Sequence, residues 1–281
     1  MLEVLKAIAL GIIQGLTEFL PVSSSGHLKI FSEVLHFQDS SIAFDVLLHL
    51  GTLIAICIFY FRDIVGLIVE FFMLIRDLFS FGKYKIFDRE RPRRILLIMI
   101  IITSIPTAIA GLLLEDIIDT AFSSLILVGI ALLITSTLMS IIDKLPQGKK
   151  KAGQITVGNA LTVGLIQSAA IIPGISRSGS TIFAGRLCGF DTALSVKYSF
   201  LCSLPAVAGA AILKIGDLFA ETLSSIQITS YILGFVASAI VGYFALRLLN
   251  MMAKRRNFKP FAYYCAAAGA FSIIYGIIAL F

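Results

Sequence analysis

The chain contains GIIQGLTEFLPVSSSG at residues 11–26 and repeats its pattern, without a gap, as GLIQSAAIIPGISRSG at residues 164–179. In both copies an apolar run with a glutamine leads through a proline to a segment rich in serine and glycine. The identical pairs are Gly11 and Gly164, Ile13 and Ile166, Gln14 and Gln167, Ser23 and Ser176, Ser25 and Ser178, and Gly26 and Gly179. Because proline breaks a helix and serine caps the next one, each copy predicts two helices separated by a break.

The chain around these two segments is strongly apolar. Of its 281 residues, 58% are hydrophobic and 14% are charged, whereas a soluble domain is about one quarter charged. A helix needs about 20 mostly apolar residues to cross a bilayer. We predict six such spans, near residues 42–61, 95–114, 122–142, 193–213, 229–249 and 261–280.

Segments rich in basic residues alternate along the chain with segments that carry acidic residues. Basic residues concentrate at about 62–94, 144–151 and 254–259, whereas the segments near 115–121 and 217–225 carry acidic residues and no lysine or arginine. Since basic loops stay on the cytoplasmic side of a membrane, we expect the three basic segments in the cytoplasm and both termini on the outer face. The charges follow the membrane topology, and we expect no nucleic-acid partner.

This alternation holds only if residues 2–36 and 155–190 each return to the side from which they enter. Their polar, glycine-rich centres favour re-entrant hairpins, because irregular backbone at membrane depth must be covered by protein or a water-filled cavity. A hairpin plus three spans is an odd number of crossings, so the second copy is inserted upside down relative to the first. Such folds bring broken helices together near the midplane and hold substrate at helix N-termini.

The predicted fold is therefore an all-α polytopic membrane protein with six transmembrane helices and two re-entrant helix pairs, arranged as an inverted-topology repeat. Residues 1–281 form a single membrane domain. Its halves are predicted at about 1–145 and 152–281, and a cytoplasmic, interfacial segment at about 62–94.

The first break collects groups that carry chemistry. Gln14 and Glu18 are four residues apart and project from one face of their helix, while Gly11 and Gly15 form a strip of small residues that lets another helix approach. A carboxylate inside a membrane needs a partner or a function, because an ionised side chain there costs about 2.5–3.5 kcal/mol. Three serines and His27 follow Glu18 within nine residues, so we favour a functional role for this carboxylate over a simple interfacial one.

The second break, PGISRSGST at 173–181, adds Arg177 between serines and glycines. Arginine binds phosphate through two parallel hydrogen bonds. The helix dipole disfavours a cation at a predicted helix N-terminus, so a bound anion explains this arginine better than the alternative, a side chain that reaches to the interface.

Several kinds of site are not predicted. The chain contains no GxxxxGK[ST] phosphate loop and no HExxH motif, which argues against nucleotide hydrolysis and histidine-held metals. Its four cysteines occur without a CxxC pair, and we expect free buried thiols. They are Cys57, Cys188, Cys202 and Cys265.

Three motifs, QGLTEFLPVSSSGH at 14–27, FDVLLHLGT at 44–52 and PGISRSGST at 173–181, resemble those of the bacterial undecaprenyl-diphosphate phosphatase family, also called the bacitracin-resistance protein family. The resemblance covers essentially the whole chain. It implies hydrolysis of C55 polyprenyl diphosphate to the monophosphate carrier of cell-wall synthesis, in the bacterial plasma membrane and with a divalent cation, Mg²⁺ or Ca²⁺. Bacitracin would then compete for the substrate rather than bind the protein.

The resemblance also implies roles for the residues of the two breaks. Glu18, Ser24, His27 and Arg177 are expected to be catalytic. Substrate contacts are expected from Gln14, Ser23, Ser25, Gly26, Ser176, Ser178, Gly179 and Thr181. Glu18, with Gln14, is the expected holder of the cation. Asp45 and His49 are four residues apart, and we expect them outside the reacting groups, joined by a hydrogen bond or serving as packing contacts.

Two mechanisms stay open at this point. Ser24 attacks phosphorus itself or orients an attacking water, while Glu18 holds the metal or acts as base and His27 carries a proton. A rival function is a translocator of a polyprenyl phosphate or another anionic substrate, because inverted repeats with broken helices are the architecture of transporters. We expect the site to open on the outer face, and the lipid-facing apolar spans are compatible with a homodimer.

Overall fold

The computed structural model describes residues 1–37, 42–79, 86–114, 124–220 and 224–279, with side chains for all of these except 42 and 213–220. Within these ranges the chain forms eleven α-helices and no β-strand. The helices are α1 (Leu2–Phe19), α2 (Ser24–Val34), α3 (Ile42–Phe59), α4 (Phe61–Leu78), α5 (Pro92–Leu113), α6 (Leu125–Ile142), α7 (Val157–Ala169), α8 (Arg177–Leu187), α9 (Thr192–Ala220), α10 (Ser225–Arg255) and α11 (Lys259–Ile278). The four cysteines are free, as predicted. Cys202 and Cys265 are buried as expected, whereas Cys57 and Cys188 are only half-buried, because Cys57 lies at a partly exposed position of α3 and Cys188 follows the last residue of α8.

Five helices, α5, α6, α9, α10 and α11, are long and apolar enough to cross a membrane. The pair α3 and α4 makes a sixth if it is counted as one bent span. The predicted all-α polytopic membrane protein is thereby confirmed. The helix α10 is longer than the apolar run predicted at 229–249, because it has 31 residues and therefore a length of about 46 Å at 1.5 Å per residue. Its ends extend beyond a hydrocarbon core of about 30 Å.

Three of the four helices that flank the two breaks are short, whereas α1 has 18 residues. Of these, α2 and α8 have 11 residues each and α7 has 13, which corresponds to about 16–20 Å. Helices of this length do not cross a core of about 30 Å. The pairs α1–α2 and α7–α8 lie where the two hairpins were expected, and their re-entrant insertion stays a prediction.

A bend of 87° separates α3 from α4. This is the geometry that a helix at the membrane interface would need, and the interfacial position of residues 62–94 stays a prediction. The expected acidic segments near 115–121 and 217–225 lie largely outside the described residues and side chains. The assignment of the basic segments to the cytoplasm likewise stays a prediction.

The two halves of the chain make reciprocal contacts. The helix α1 packs along α10, and α7, which matches α1 in sequence, packs along α5. The helix α3 packs against α9, and α6 packs against α11. This exchange of equivalent contacts is the pattern that two repeats related by a pseudo-twofold axis produce, and it supports the predicted duplication.

Matched glycines allow the closest of these contacts. A Cβ atom at Gly11 of α1 would lie 2.3 Å from the carbonyl oxygen of Gly234 on α10, and one at Gly15 would lie 2.8 Å from the amide nitrogen of Gly242. In the other half, a Cβ atom at Gly164 of α7 would lie 2.5 Å from the carbonyl oxygen of Thr103 on α5. The predicted small-residue strip therefore does bring two helix backbones together.

We expect the substitution Gly11→Ala to lower the free energy of unfolding by about 1–3 kcal/mol, because overpacking against backbone cannot be relieved by a rotamer change. The matched control is Gly209→Ala on α9, where an added Cβ meets no heavy atom within 4 Å among the described residues. That variant should be as stable as the parent or more stable, by up to about 1 kcal/mol. Denaturant unfolding in detergent micelles measures both, and equal stabilities would contradict this packing.

Candidate active site

The two helix breaks are built in the same way. Ser23 is the N-cap of α2, and its Oγ accepts a hydrogen bond of 3.4 Å from the amide of Gly26. Ser176 is the N-cap of α8, and its Oγ accepts one of 3.1 Å from the amide of Gly179. These four residues are two of the pairs that match in the sequence repeat, so the repeat encodes a shared capping geometry.

The breaks touch each other and exchange hydrogen bonds. We call the region where they meet, formed by Leu20, Ser23, Gly26, Gly174 and Ser178, the joint. Ser23 Oγ also accepts from the amide of Gly174 at 3.1 Å, and Ser178 Oγ donates to the carbonyl of Leu20 at 3.3 Å. A Cβ atom at Gly26 would lie only 3.0 Å from the Cα of Gly174. Ser23 itself has a φ of 72°, a conformation uncommon for any residue but glycine, so the joint holds strained backbone in place.

A side chain from α6 braces the second break. Thr135 Oγ1 accepts a hydrogen bond of 2.9 Å from the amide of Ser176 and donates one of 2.8 Å to the carbonyl of Gly174. Thr135 is fully buried. No sequence signal pointed to it, because a lone threonine in an apolar span most often bonds its own helix.

Glu18 lies at the centre of the joint. Its carboxylate is 5% exposed, and one oxygen, Oε1, accepts a hydrogen bond from Arg177 Nη2 of the other half. The second oxygen, Oε2, accepts from Ser24 Oγ at 2.6 Å and from Gln14 Nε2 at 3.0 Å. The structure thus brings together four residues that were predicted for the site from both repeats.

His49 of α3 also lies beside Glu18. We call Gln14, Glu18, Ser24, His49 and Arg177 the Glu18 cluster. Its Nδ1 lies 2.9 Å from Gln14 Nε2 and 3.3 Å from Glu18 Oε2. The two amide hydrogens of Gln14 can serve Glu18 and His49 together when the imidazole is neutral and its Nδ1 accepts. From the sequence, His49 was expected outside the reacting groups, either hydrogen-bonded to Asp45 or serving with it as a packing contact. Among the described residues no hydrogen bond joins Asp45 to His49, and Asp45 lies one turn earlier on α3.

His27 lies in a different environment. Its Nδ1 is 2.7 Å from the carbonyl oxygen of Ser23, and its Nε2 is 2.8 Å from the hydroxyl of Tyr264 on α11. The two rings are stacked, with centroids 5.4 Å apart. Since Nδ1 must donate to the carbonyl, Nε2 accepts from the tyrosine. Both ring nitrogens are therefore engaged away from Glu18 and Ser24. The role of Tyr264 was not predicted from the sequence, because this residue lies 237 positions from His27.

The other predicted contact residues hold the breaks in shape. Ser25 Oγ lies 3.4 Å from Ser23 Oγ, and in the second repeat Ser178 Oγ lies 3.2 Å from Ser176 Oγ. Thr181 is 1% exposed, and its hydroxyl donates to the carbonyl of Arg177 at 2.8 Å. The hydroxyl groups of these residues contact the protein itself.

Two buried polar atoms of the cluster lack a hydrogen-bond partner among the described residues. They are Gln14 Oε1 and Arg177 Nη1. Ser24, His49 and Arg177 keep part of their surface exposed. Buried polar groups are nearly always satisfied in proteins, so an acceptor and a donor without partners beside an accessible hydroxyl indicate a binding site for a polar ligand.

The described side chains around Glu18 offer few ligands for a cation. The described residues contain no group of three or more histidine, cysteine, aspartate or glutamate side chains that could hold a metal ion. Mg²⁺ often takes one or two protein oxygens and completes its shell with substrate phosphate and water. The Glu18 carboxylate and the unpartnered Gln14 Oε1 fit that smaller ligand set.

The joint generates a stability prediction. We expect Ser23→Ala to lower the free energy of unfolding by about 1–3 kcal/mol, because the buried amides of Gly26 and Gly174 both lose their acceptor. Ser25→Ala is the matched control on the same turn, since among the described residues its hydroxyl contacts only Ser23 Oγ. Denaturant titration measures the free energy of unfolding of both variants. An equal or larger loss in Ser25→Ala would contradict the importance of the hydrogen bonds that Ser23 accepts.

Comparison with known proteins identifies the family of this chain. The family model described as Bacitracin resistance protein BacA matches residues 7–271. An undecaprenyl-diphosphatase of Desulforapulum autotrophicum is 40% identical over 278 residues, covering 99% of this chain and 100% of that protein. One of Halothermothrix orenii is 42% identical over 273 residues (97% and 98%), and one of Methanosphaera stadtmanae is 40% identical over 281 residues (99% and 100%). With the two motif-bearing breaks joined at Glu18 and Arg177, and with matches over nearly its full length, the chain belongs to the bacitracin resistance protein BacA family.

Proposed function

We propose that the chain is an undecaprenyl-diphosphate phosphatase, which hydrolyses undecaprenyl diphosphate to undecaprenyl phosphate and inorganic phosphate within the membrane. One observation carries this proposal. The carboxylate of Glu18 contacts a partly exposed hydroxyl, Ser24 Oγ at 2.6 Å, and the guanidinium of Arg177 from the other repeat. A base, a hydroxyl and a phosphate-binding cation are thereby in direct contact. The relatives' printed name, undecaprenyl-diphosphatase, supports the same substrate.

Binding of the diphosphate would use groups that are already in place. The helices α2 and α8 begin at Ser24 and Arg177, and helix N-termini attract anions through their free amides and positive dipole ends. Arg177 Nη1 is buried without a partner among the described residues and is available to a phosphate oxygen while Nη2 holds Glu18. The negative charge that develops during phosphoryl transfer would meet the same preorganised donors.

The chemical step follows from the contact between Glu18 and Ser24. In one route Ser24 Oγ forms a bond to the terminal phosphorus, the bond from that phosphorus to the bridging oxygen breaks, and the serine proton passes to Glu18 Oε2. Water then hydrolyses the phosphoserine and releases phosphate. In the other route Ser24 orients a water that Glu18 deprotonates, and this water attacks directly. Because both nitrogens of His27 are engaged, we assign it to holding the backbone of Ser23 rather than to proton transfer.

A divalent cation, Mg²⁺ or Ca²⁺, belongs to this proposal as a group held by Glu18 and Gln14 together with the substrate. When bound, it would neutralise charge on the diphosphate oxygens. Gln14 also keeps the Glu18 carboxylate in position through its amide hydrogen bond of 3.0 Å.

The first test is phosphate release from a C55 or shorter polyprenyl diphosphate by detergent-purified protein. Glu18→Gln should lower kcat/KM by about 10²–10⁴, the usual contribution of a general base, and Arg177→Gln by at least about 10². The control is Glu33→Gln on α2, whose carboxylate is 48% exposed and pairs with Lys29, and it should keep full activity. No release by folded, monodisperse wild-type protein would contradict the phosphatase and favour the translocator.

A second test separates the two chemical routes. Ser24→Ala should lower kcat by about 10² or more in either route, because the hydroxyl that contacts the base is lost. Ser32→Ala, on the same helix and outside the joint, is the matched control. Quenching during turnover of substrate labelled in the terminal phosphate should leave label on Ser24 if the serine attacks. Normal turnover by Ser24→Ala would rule out both roles of this hydroxyl.

A further inference from the structure

A polar cavity lies at the opposite end of α8 from Arg177. It forms where the C-terminal ends of α6, α8 and α10 meet, and its polar lining comes from Asp143, Gln147, Arg186, Thr192 and Arg256. Arg177 is the first residue of α8 and Arg186 lies in its last turn, so the two arginines are separated by about 14 Å along the helix axis. The cavity is therefore distinct from the Glu18 cluster.

Arg186 is buried without a carboxylate in contact. Arg186 is 7% exposed. Its guanidinium donates hydrogen bonds only to neutral acceptors among the described residues. These are Thr192 Oγ1 at 3.3 Å, the carbonyl of Leu145 at 3.2 Å and the carbonyl of Pro146 at 3.1 Å. Among the described residues it forms no ion pair. Burying a cation in this way is costly unless a negative charge is supplied.

Arg256 adds a second positive charge to the same cavity, near enough to repel Arg186. It ends α10 in the left-handed conformation, with a φ of 51°. The carboxylates that face Arg186 are already engaged, since Asp143 Oδ2 accepts from the amide of Phe258 at 2.9 Å and Asp191 pairs with Lys151. Among the described residues, two arginines and one carboxylate line the cavity. The cavity therefore has an excess of positive charge.

Backbone hydrogen bonds and close packing join the two segments next to the cavity. The amide of Lys150 donates to the carbonyl of Gly189 at 3.1 Å, and the amide of Asp191 donates to the carbonyl of Lys150 at 3.2 Å. A Cβ atom at Gly148 would lie 2.1 Å from the carbonyl oxygen of Phe190, so the segment after α6 is packed tightly on the turn after α8. A preorganised site loses little entropy when it binds a ligand.

We propose that this cavity binds a phosphate group, carried by the headgroup of an anionic membrane lipid or present as free phosphate. The guanidinium groups match phosphate oxygens in geometry and charge, and the side chains of Thr192 and Gln147 add hydrogen-bonding groups. Two of the three basic segments, 144–151 and 254–259, border the cavity. Basic pockets between membrane helices bind lipid headgroups in this way.

The test uses full-length protein in detergent with Arg177→Ala as the background, so that the Glu18 cluster does not contribute anion binding. Calorimetry gives the Kd for dihexanoyl phosphatidic acid, for dihexanoyl phosphatidylcholine and for inorganic phosphate at matched ionic strength. The added substitution Arg256→Asn removes the charge and keeps a residue that tolerates the left-handed conformation. Arg255→Asn is the matched control, because Arg255 and Arg256 are both exposed but only Arg256 lines the cavity.

Phosphatidic acid should bind the background protein and its Arg255→Asn derivative equally, and Arg256→Asn should weaken it about tenfold or more, as expected for a lost charged hydrogen bond. Gln147→Glu, which places a negative charge in the cavity without touching the end of α10, should cause the same loss. If inorganic phosphate shows this pattern and the lipid does not, the ligand is free phosphate. Equal affinities in Arg256→Asn and Arg255→Asn, or no binding of either phosphate probe, would overturn the proposal.

Discussion

Two broken helices inside a membrane protein leave backbone amides and carbonyls without helical partners, and each break in this chain is completed by the other. Ser23 Oγ satisfies the amide of Gly174, and Ser178 Oγ satisfies the carbonyl of Leu20. Unpaired backbone groups cost several kcal/mol where water is absent. Each break therefore depends on the other for these hydrogen bonds, and the packing of α1 on α10 and of α7 on α5 keeps the two halves in contact.

The same constraint places the reactive groups. Glu18 and Arg177 are each costly to bury singly, and the joint pairs them across the two repeats. Arg177 is the first residue of α8, and Glu18 at the end of α1 contacts Ser24, the first residue of α2. In the proposed reaction an incoming phosphate would therefore share Arg177 with the carboxylate and lie near two helix N-termini. The proposed base and the proposed phosphate-binding residue come from different halves, so one arrangement serves both stability and the proposed chemistry.

Much of the fold could be predicted because its signals are local. The apolar runs marked the spans, the proline and serine pattern marked the breaks, and Gly11 marked a close helix contact that the structure places at Gly234. The length of α10 was underestimated, since a hydropathy pattern detects the part of a helix that lies in lipid and α10 continues beyond it. The positions of individual site residues were predicted less well. His49 contacts Glu18 directly, whereas His27 turns to Tyr264, and both outcomes depend on neighbours far away in the chain.

The amino-acid sequence alone was sufficient to predict a membrane protein, the places where its helices break and the types of group at each break. Hydropathy, proline and capping residues act over one or two helical turns, so these features are local. The duplication of the halves stays a prediction that the reciprocal helix contacts support. Which groups meet is a matter of helix packing. The contacts of Thr135 with Ser176, of His49 with Gln14 and of Glu18 with Arg177 join residues on different helices. They arise because buried polar groups must find partners wherever close packing brings helices together, and no local pattern encodes that choice.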